Sequence, residues 1–259
     1  MRYLQRSSVI LACFLIMCAK TSEPKAVVAQ PTPLHPAQPS TSHDRPRWTT
    51  NMAGWTIHVN SRLWTEQPEA TGKAMVLLQK QLEEINRNVP KAAVIELQKV
   101  TLWISPEYPG IKPRAEYHPN AVWLREHGRD PAMAKGVEFT NVRIFESEAR
   151  RMPNFALHEL AHSYHDRVLP KGFGNPDIKA AYERAKAGGK YDRVEQRFGD
   201  GRTTQARAYA MTNPQEYFAE NTEAFFSTND FFPFTRTELK PHDPEMFELL
   251  AKLWGVELK

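Results

Sequence analysis

The stretch that decides the fold is FALHELAHSYHDRVL, residues 155–169. Its apolar residues recur at helical spacing, Pro153 suits the first turn of a helix, and Pro170 follows its end. Residues four apart lie on one face of a helix, so His158 and His162 can bind the same metal ion. The stretch therefore predicts a metal-binding helix.

Glu159 adds a base to the two histidines. It directly follows the first histidine, where its carboxylate can take a proton from a water held at the metal. The alternative is a surface helix whose polar residues are merely solvated, but the Ala- and Leu-rich surroundings favour a packed helix. The motif predicts a hydrolase that uses one Zn²⁺ ion.

A catalytic zinc needs a third protein ligand and one open position. The metzincin arrangement would place glycine at position 165 and histidine at position 168, where this chain has His165 and Val168. Thiolate ligands are excluded from the body of the chain, because Cys13 and Cys18 both lie among the first twenty residues. The third ligand should therefore be a carboxylate on a second helix.

A second helix is predicted over residues 214–226, with Asn213 as its N-cap and proline in its first position. It carries Glu216, Glu220 and Glu223, of which the first two share a face and the third is close to it. One of them would bind the metal, and a neighbour would orient a ligand histidine. An exposed acidic face is the alternative, which the surrounding aromatic residues disfavour.

The HELAH motif and the segment YAMTNPQEYFAE, residues 209–220, together resemble the catalytic domain of the anthrax lethal factor family of gluzincin peptidases. The resemblance covers roughly residues 155–227. It implies that Glu216 is the third zinc ligand, that Tyr209 points its hydroxyl at the metal, and that Glu220 supports the site from behind. A core position remains the alternative for Tyr209.

The remaining pattern predicts an α+β, zincin-like metallopeptidase domain, with a small mixed sheet packed on the HELAH helix and further C-terminal helices. Strands are predicted at 55–59 and 100–104, weaker strands at 121–124 and 137–145, and helices at 69–88, 176–187 and 244–253. The strand at 137–145 is the candidate edge strand for pairing with an extended substrate.

The N-terminal region predicts export. Residues 1–19 have the basic start and short apolar run of a signal peptide, residues 20–47 are a Pro-rich disordered linker, and residues 48–259 form the metallopeptidase domain. The segment before Cys18 partly resembles a lipoprotein box, which would anchor the chain to a membrane by a lipid. Cleavage after Ala19 or near Ala29 is the alternative.

Charge argues against nucleic acid as a partner. Residues 1–20 hold three of the 34 basic residues, and the remainder nearly balances the 30 acidic residues. The expected function is zinc-dependent hydrolysis of peptide bonds by a secreted or envelope-bound monomer acting on a peptide or protein. Two alternatives remain: an amidase of cell-wall peptides, and a non-enzymatic zinc-binding envelope protein. Glu159 disfavours the second, because a structural zinc site needs no base.

Overall fold

A computed structural model describes residues 46–258. The predicted signal segment and nearly all of the predicted linker therefore lie outside the described residues, as does Cys18. Among residues 46–258, none of the helices combines the length and apolar character that a membrane span requires.

Within residues 46–258, seven strands form two sheets. They are β1 (Arg47–Met52), β2 (Trp55–Asn60), β3 (Leu102–Ile104), β4 (Ala115–Tyr117), β5 (Val137–Phe139), β6 (Val194–Arg197) and β7 (Thr203–Ala206). The first sheet has the order β1-β2-β3-β5-β4, in which β2, β3 and β5 run parallel and the two outer strands are antiparallel to their neighbours. The last two strands pair antiparallel in a separate ribbon.

The described part of the chain also contains ten α-helices. They are α1 (Ser61–Glu66), α2 (Pro68–Asn88), α3 (Lys91–Leu97), α4 (Ala121–Glu126), α5 (Phe145–Arg151), α6 (Phe155–Arg167), α7 (Pro176–Gly188), α8 (Pro214–Phe226), α9 (Arg236–His242) and α10 (Pro244–Trp254). The predicted helices correspond to α2, α6, α7, α8 and α10. Each of these five except α6 begins with proline at its first position, where a missing N–H costs no helical hydrogen bond.

The HELAH helix α6 is the centre of the fold. It packs against α2, α8 and the edge strand β4. Ala156, Leu160 and Ala161 have no exposed surface at all, so the residues between the polar positions fill the core. Burial on several sides fixes the axis of α6, and with it the directions of the polar side chains.

The predicted α+β class and the small mixed sheet are confirmed, but two weaker strand predictions need correction. Residues 121–124 belong to helix α4, whose N-terminus is capped by the Asn120 side chain accepting a hydrogen bond from the Trp123 N–H. The predicted strand 137–145 is a strand only over Val137–Phe139, and a 3₁₀ turn and α5 follow. Short apolar runs do not distinguish strand from helix, because tertiary packing decides between them.

The expectation that residues 137–145 form the sheet edge is also wrong. The strand β5 in that region lies between β3 and β4, so both of its sides are already paired. The edge strands of this sheet are β1 and β4, and the sequence predicted neither of them. This matters for function, because β4 is also the strand that packs on α6.

Candidate active site

Helices α6 and α8 bring the three predicted metal ligands together. His158 Nε2 lies 3.2 Å from His162 Nε2, and Glu216 Oε2 lies 3.1 Å from the first of these nitrogens and 3.3 Å from the second. Glu216 stands in the first turn of α8, where the Asn213 side chain accepts its backbone N–H at 2.9 Å. The N-cap therefore fixes the position of the carboxylate opposite the histidine pair.

The three donor atoms fit a single zinc ion. Zinc bonds to nitrogen and carboxylate oxygen are about 2.0–2.1 Å long, so tetrahedral geometry separates two ligand atoms by about 3.3–3.4 Å. The three observed separations are close to that value and nearly equal. The three donors are therefore spaced as three ligands of one zinc ion would be, and all three residues line the same cleft.

Neighbouring charges and hydrogen bonds shift the pKa values of two of the three donor residues. Burial alone would lower the pKa of His158, but the Glu223 and Glu216 carboxylates outweigh it and raise that pKa well above its usual value. Burial would likewise raise the pKa of Glu216, but hydrogen bonds from His158 and His162 hold it well below its ordinary range. The Glu216 carboxylate is therefore ionised at neutral pH, as a metal ligand must be.

Glu223 is the hydrogen-bond partner of the first histidine. His158 Nδ1 donates to Glu223 Oε1 at 2.6 Å, whereas the nearest oxygen of Glu220 is 3.7 Å from the same nitrogen. Glu220 instead accepts a hydrogen bond from Asn229 at 3.2 Å. The resemblance implied that Glu220 supports the site; its carboxylate lies near the His158 ring, but Glu223 is the glutamate that is hydrogen-bonded to the ring.

The spacing of α8 explains this placement. Glu216 and Glu223 are seven residues apart, or about two helical turns, so they share one face of α8. The first reaches Nε2 of His158 and the second reaches Nδ1 of the same ring. The sequence indicated that the glutamates of α8 are candidate partners of the metal site. Only the packing of α6 on α8 shows that Glu223 is the one bonded to Nδ1 of His158.

The base candidate Glu159 faces the cleft and is held by the edge strand. Its Oε2 accepts the backbone N–H of Tyr117 in β4 at 2.8 Å. The cleft has a volume of about 520 Å³ and is lined by Arg114, Ala115, Glu116, Tyr117, Arg151, Met152, His158, Glu159, His162, Gln196, Tyr209, Glu216 and Phe231. Sequence reasoning did not find Tyr117, because no local pattern links this residue of β4 to Glu159, which lies 42 residues later.

Tyr209 also lines this cleft. It begins a 3₁₀ turn, Tyr209–Met211, that leads into α8, and its side chain is 48% exposed. Burial and the Glu216 charge raise the pKa of its hydroxyl, so the hydroxyl keeps its proton at neutral pH. The half-exposed position does not match the alternative of a core tyrosine.

His165 and Asp166 lie further along α6. The His165 ring is fully buried against Phe173 and Phe218, and neither ring nitrogen has a hydrogen-bond partner within residues 46–258. Asp166 accepts a hydrogen bond from the Tyr117 hydroxyl and pairs with Lys135. Neither side chain belongs to the donor triangle.

A protein family and a solved structure are similar to this chain. None of the curated proteins compared with the chain matches it. The solved structure of the PRO-PRO endopeptidase PPEP-2 from Paenibacillus alvei is similar, with a TM-score of 0.45 and 18% identity over 76% of this chain and 96% of that chain. The family model described as anthrax toxin lethal factor, N- and C-terminal domain, matches residues 80–253. Because that match covers most of the chain, the protein belongs to the anthrax lethal factor family of metallopeptidases.

Proposed function

We propose that the chain is an endopeptidase that uses one zinc ion, with His158, His162 and Glu216 as ligands. The observation that carries the proposal is the triangle of donor atoms 3.1–3.3 Å apart beside the Glu159 carboxylate, at the floor of an open cleft. Three protein ligands and an accessible fourth position are typical of catalytic zinc sites. When bound there, zinc would polarise the scissile carbonyl and lower the pKa of water.

Glu159 is the proposed general base. The Tyr117 N–H binds one of its carboxylate oxygens at 2.8 Å, which leaves the other oxygen to accept a proton from the attacking water. The same carboxyl group can then deliver that proton to the leaving amine. Its place between the two ligand histidines keeps both transfers within the reach of one side chain.

Tyr209 is the proposed donor to the oxyanion that develops as water attacks the carbonyl. Two observations support this role: Tyr209 lines the cleft, and its hydroxyl remains protonated. A donor at this point assists only when the carbonyl oxygen becomes charged. The effect of its removal should therefore appear in turnover.

The proposed substrate is an extended peptide or protein segment that pairs with β4. This strand bonds to β5 through the pairs Arg114–Thr140, Glu116–Glu138 and His118–Gly136. The pleat alternates, so the N–H and C=O groups of Ala115, between two of these pairs, point away from β5. Because the Tyr117 N–H is occupied by Glu159, we assign the pairing to Ala115, in place of the region 137–145 that the sequence favoured.

Glu159→Gln tests the proposal. The variant keeps the ligand set and a side chain of equal size, so it should bind one zinc per chain and retain its melting temperature while losing most of its turnover. Zinc content by mass spectrometry and cleavage of a peptide library are the measurements. Equal turnover in the variant and the parent would refute the base assignment. Zinc binding without cleavage of peptides, including cell-wall peptides, would favour a non-enzymatic role.

A further inference from the structure

Two carboxylates of α6 contact the same residue of the edge strand. Glu159 and Asp166 are seven residues apart, and two helical turns bring them to one face of α6. The first accepts the backbone N–H of Tyr117 at 2.8 Å, and the second accepts the hydroxyl of the same tyrosine at 2.7 Å. The side chain of Tyr117 thus extends along α6 from the base candidate to Asp166.

Burial and hydrogen bonds fix the position of Tyr117 relative to these two carboxylates. It is 8% exposed, and its ring packs edge-on against Phe173 at 6.3 Å. Burial and the hydrogen bond to Asp166 raise the pKa of Tyr117 well above its ordinary value, so the hydroxyl remains a proton donor. With both ends of the residue bonded to α6, the ring cannot move without disturbing one of the bonds.

Strand β4 needs such an anchor. It has only three residues and pairs with β5 on one side alone. The distance between β4 and α6 is therefore set by a few side-chain contacts, of which the bond from Tyr117 to Asp166 is one. Without it, β4 can shift by a fraction of an ångström, and the N–H that holds the Glu159 carboxylate shifts with it. Catalytic geometry is sensitive to displacements of this size.

We propose that Asp166 is a positioning residue for the general base, acting through Tyr117, whose hydroxyl it binds and whose backbone N–H holds Glu159. The inference rests on the proposed function, because it assigns Asp166 a part in that same site. Lys135 also contacts the Asp166 oxygen that accepts the Tyr117 hydroxyl, but its side chain is 49% exposed. An ion pair to a solvent-exposed lysine contributes little, so Lys135 serves as the control.

Steady-state kinetics of five variants tests the positioning role. Asp166→Ala removes the acceptor and Tyr117→Phe removes the donor of the same hydrogen bond. Each should lower kcat by roughly 10- to 100-fold, the usual effect of losing a support behind a catalytic group, with zinc content unchanged. The double variant should be no worse than either single variant, because both remove one bond. Asp166→Asn keeps an acceptor oxygen and should restore most of the turnover, and Lys135→Met should behave like the parent.

A second measurement works without metal or activity. Hydrogen exchange of the Tyr117 amide, followed by NMR on the metal-free protein, reports whether the N–H still binds Glu159. Exchange should accelerate at least tenfold in Asp166→Ala and stay near the parent rate in Asp166→Asn and Lys135→Met. A purely structural role would accelerate exchange across all of α6 and lower the melting temperature, without singling out this amide.

The outcomes separate this inference from the proposed function. If the parent cleaves peptides, Glu159→Gln does not, and Asp166→Ala keeps both normal kcat and normal Tyr117 exchange, Asp166 has no positioning role. The inference would also be overturned if the fold-losses of kcat in the two single variants multiplied in the double variant, because Asp166 and Tyr117 would then act separately. If the parent itself shows no zinc-dependent cleavage, the proposed function fails, whereas the exchange measurement still decides whether Asp166 holds β4 in place.

Discussion

Replacing Glu223 by glutamine should weaken zinc binding more than the same replacement of Glu220. The two glutamates are three residues apart on α8 and both are almost completely buried, so the variants are closely matched. They differ in their contact with His158: the Nδ1 atom is 2.6 Å from a Glu223 oxygen and 3.7 Å from a Glu220 oxygen. Only the shorter distance is a hydrogen bond.

The size of the effect follows from this contact. The Glu223 carboxylate keeps the proton of His158 on Nδ1, which leaves the Nε2 lone pair for the metal and makes the ring more basic. Loss of such a partner typically weakens metal binding about 10- to 100-fold, or about 1.4–2.8 kcal/mol. Burial and the charge of Glu223 raise the pKa of Glu220 well above its usual value, so glutamine resembles its neutral form. We expect Glu220→Gln to change the zinc affinity less than about threefold.

Competition with a fluorescent zinc chelator measures both dissociation constants. Melting temperatures of the metal-free variants should be determined beside them, because a damaged core would also weaken binding. The assignment is refuted if Glu220→Gln loses more affinity than Glu223→Gln. It is also refuted if both variants bind zinc as the parent does.

Three further predictions follow from the cleft and from α6. Tyr209→Phe should lower turnover about 10²–10³-fold with unchanged zinc content and melting temperature, and normal turnover would remove its oxyanion role. Ala115→Pro removes an N–H that faces away from β5 and that is proposed to pair with the substrate. KM should therefore rise and kcat/KM should fall roughly 3- to 10-fold. An unchanged KM would exclude substrate pairing at Ala115. Burial lowers the pKa of His165 to about 4, below its value of about 6.5 in the unfolded chain. The unfolded state therefore binds more protons than the folded state between these two pH values. From pH 7 to pH 4.5, the free energy of unfolding measured by urea titration should fall roughly 2–3 kcal/mol more in the parent than in His165→Leu. Parallel pH curves for the two proteins would contradict the lowered pKa.

The elements that the sequence predicted well are those with strong local signals. Helices α2, α7, α8 and α10 open with proline and carry a regular apolar stripe, and α6 is the HELAH helix. By contrast, the ribbon of β6 and β7 consists mostly of polar residues, and β4 has only three residues. Their pairing depends on distant partners, which local patterns do not contain. For the same reason, the apolar run at 121–124 indicates a strand by its local pattern, whereas Asn120 caps a helix there.

By itself, the sequence determined the candidate chemistry: two histidines and a base on one helix, and a set of glutamates on another. These follow from helical periodicity, which relates residues within one segment. Only the tertiary structure decided that Glu223 contacts His158, that β4 is an edge strand beside α6, and that Tyr117 contacts both Glu159 and Asp166. Each of these joins elements that are dozens of residues apart, and their mutual orientation is set by core packing, which no local spacing records.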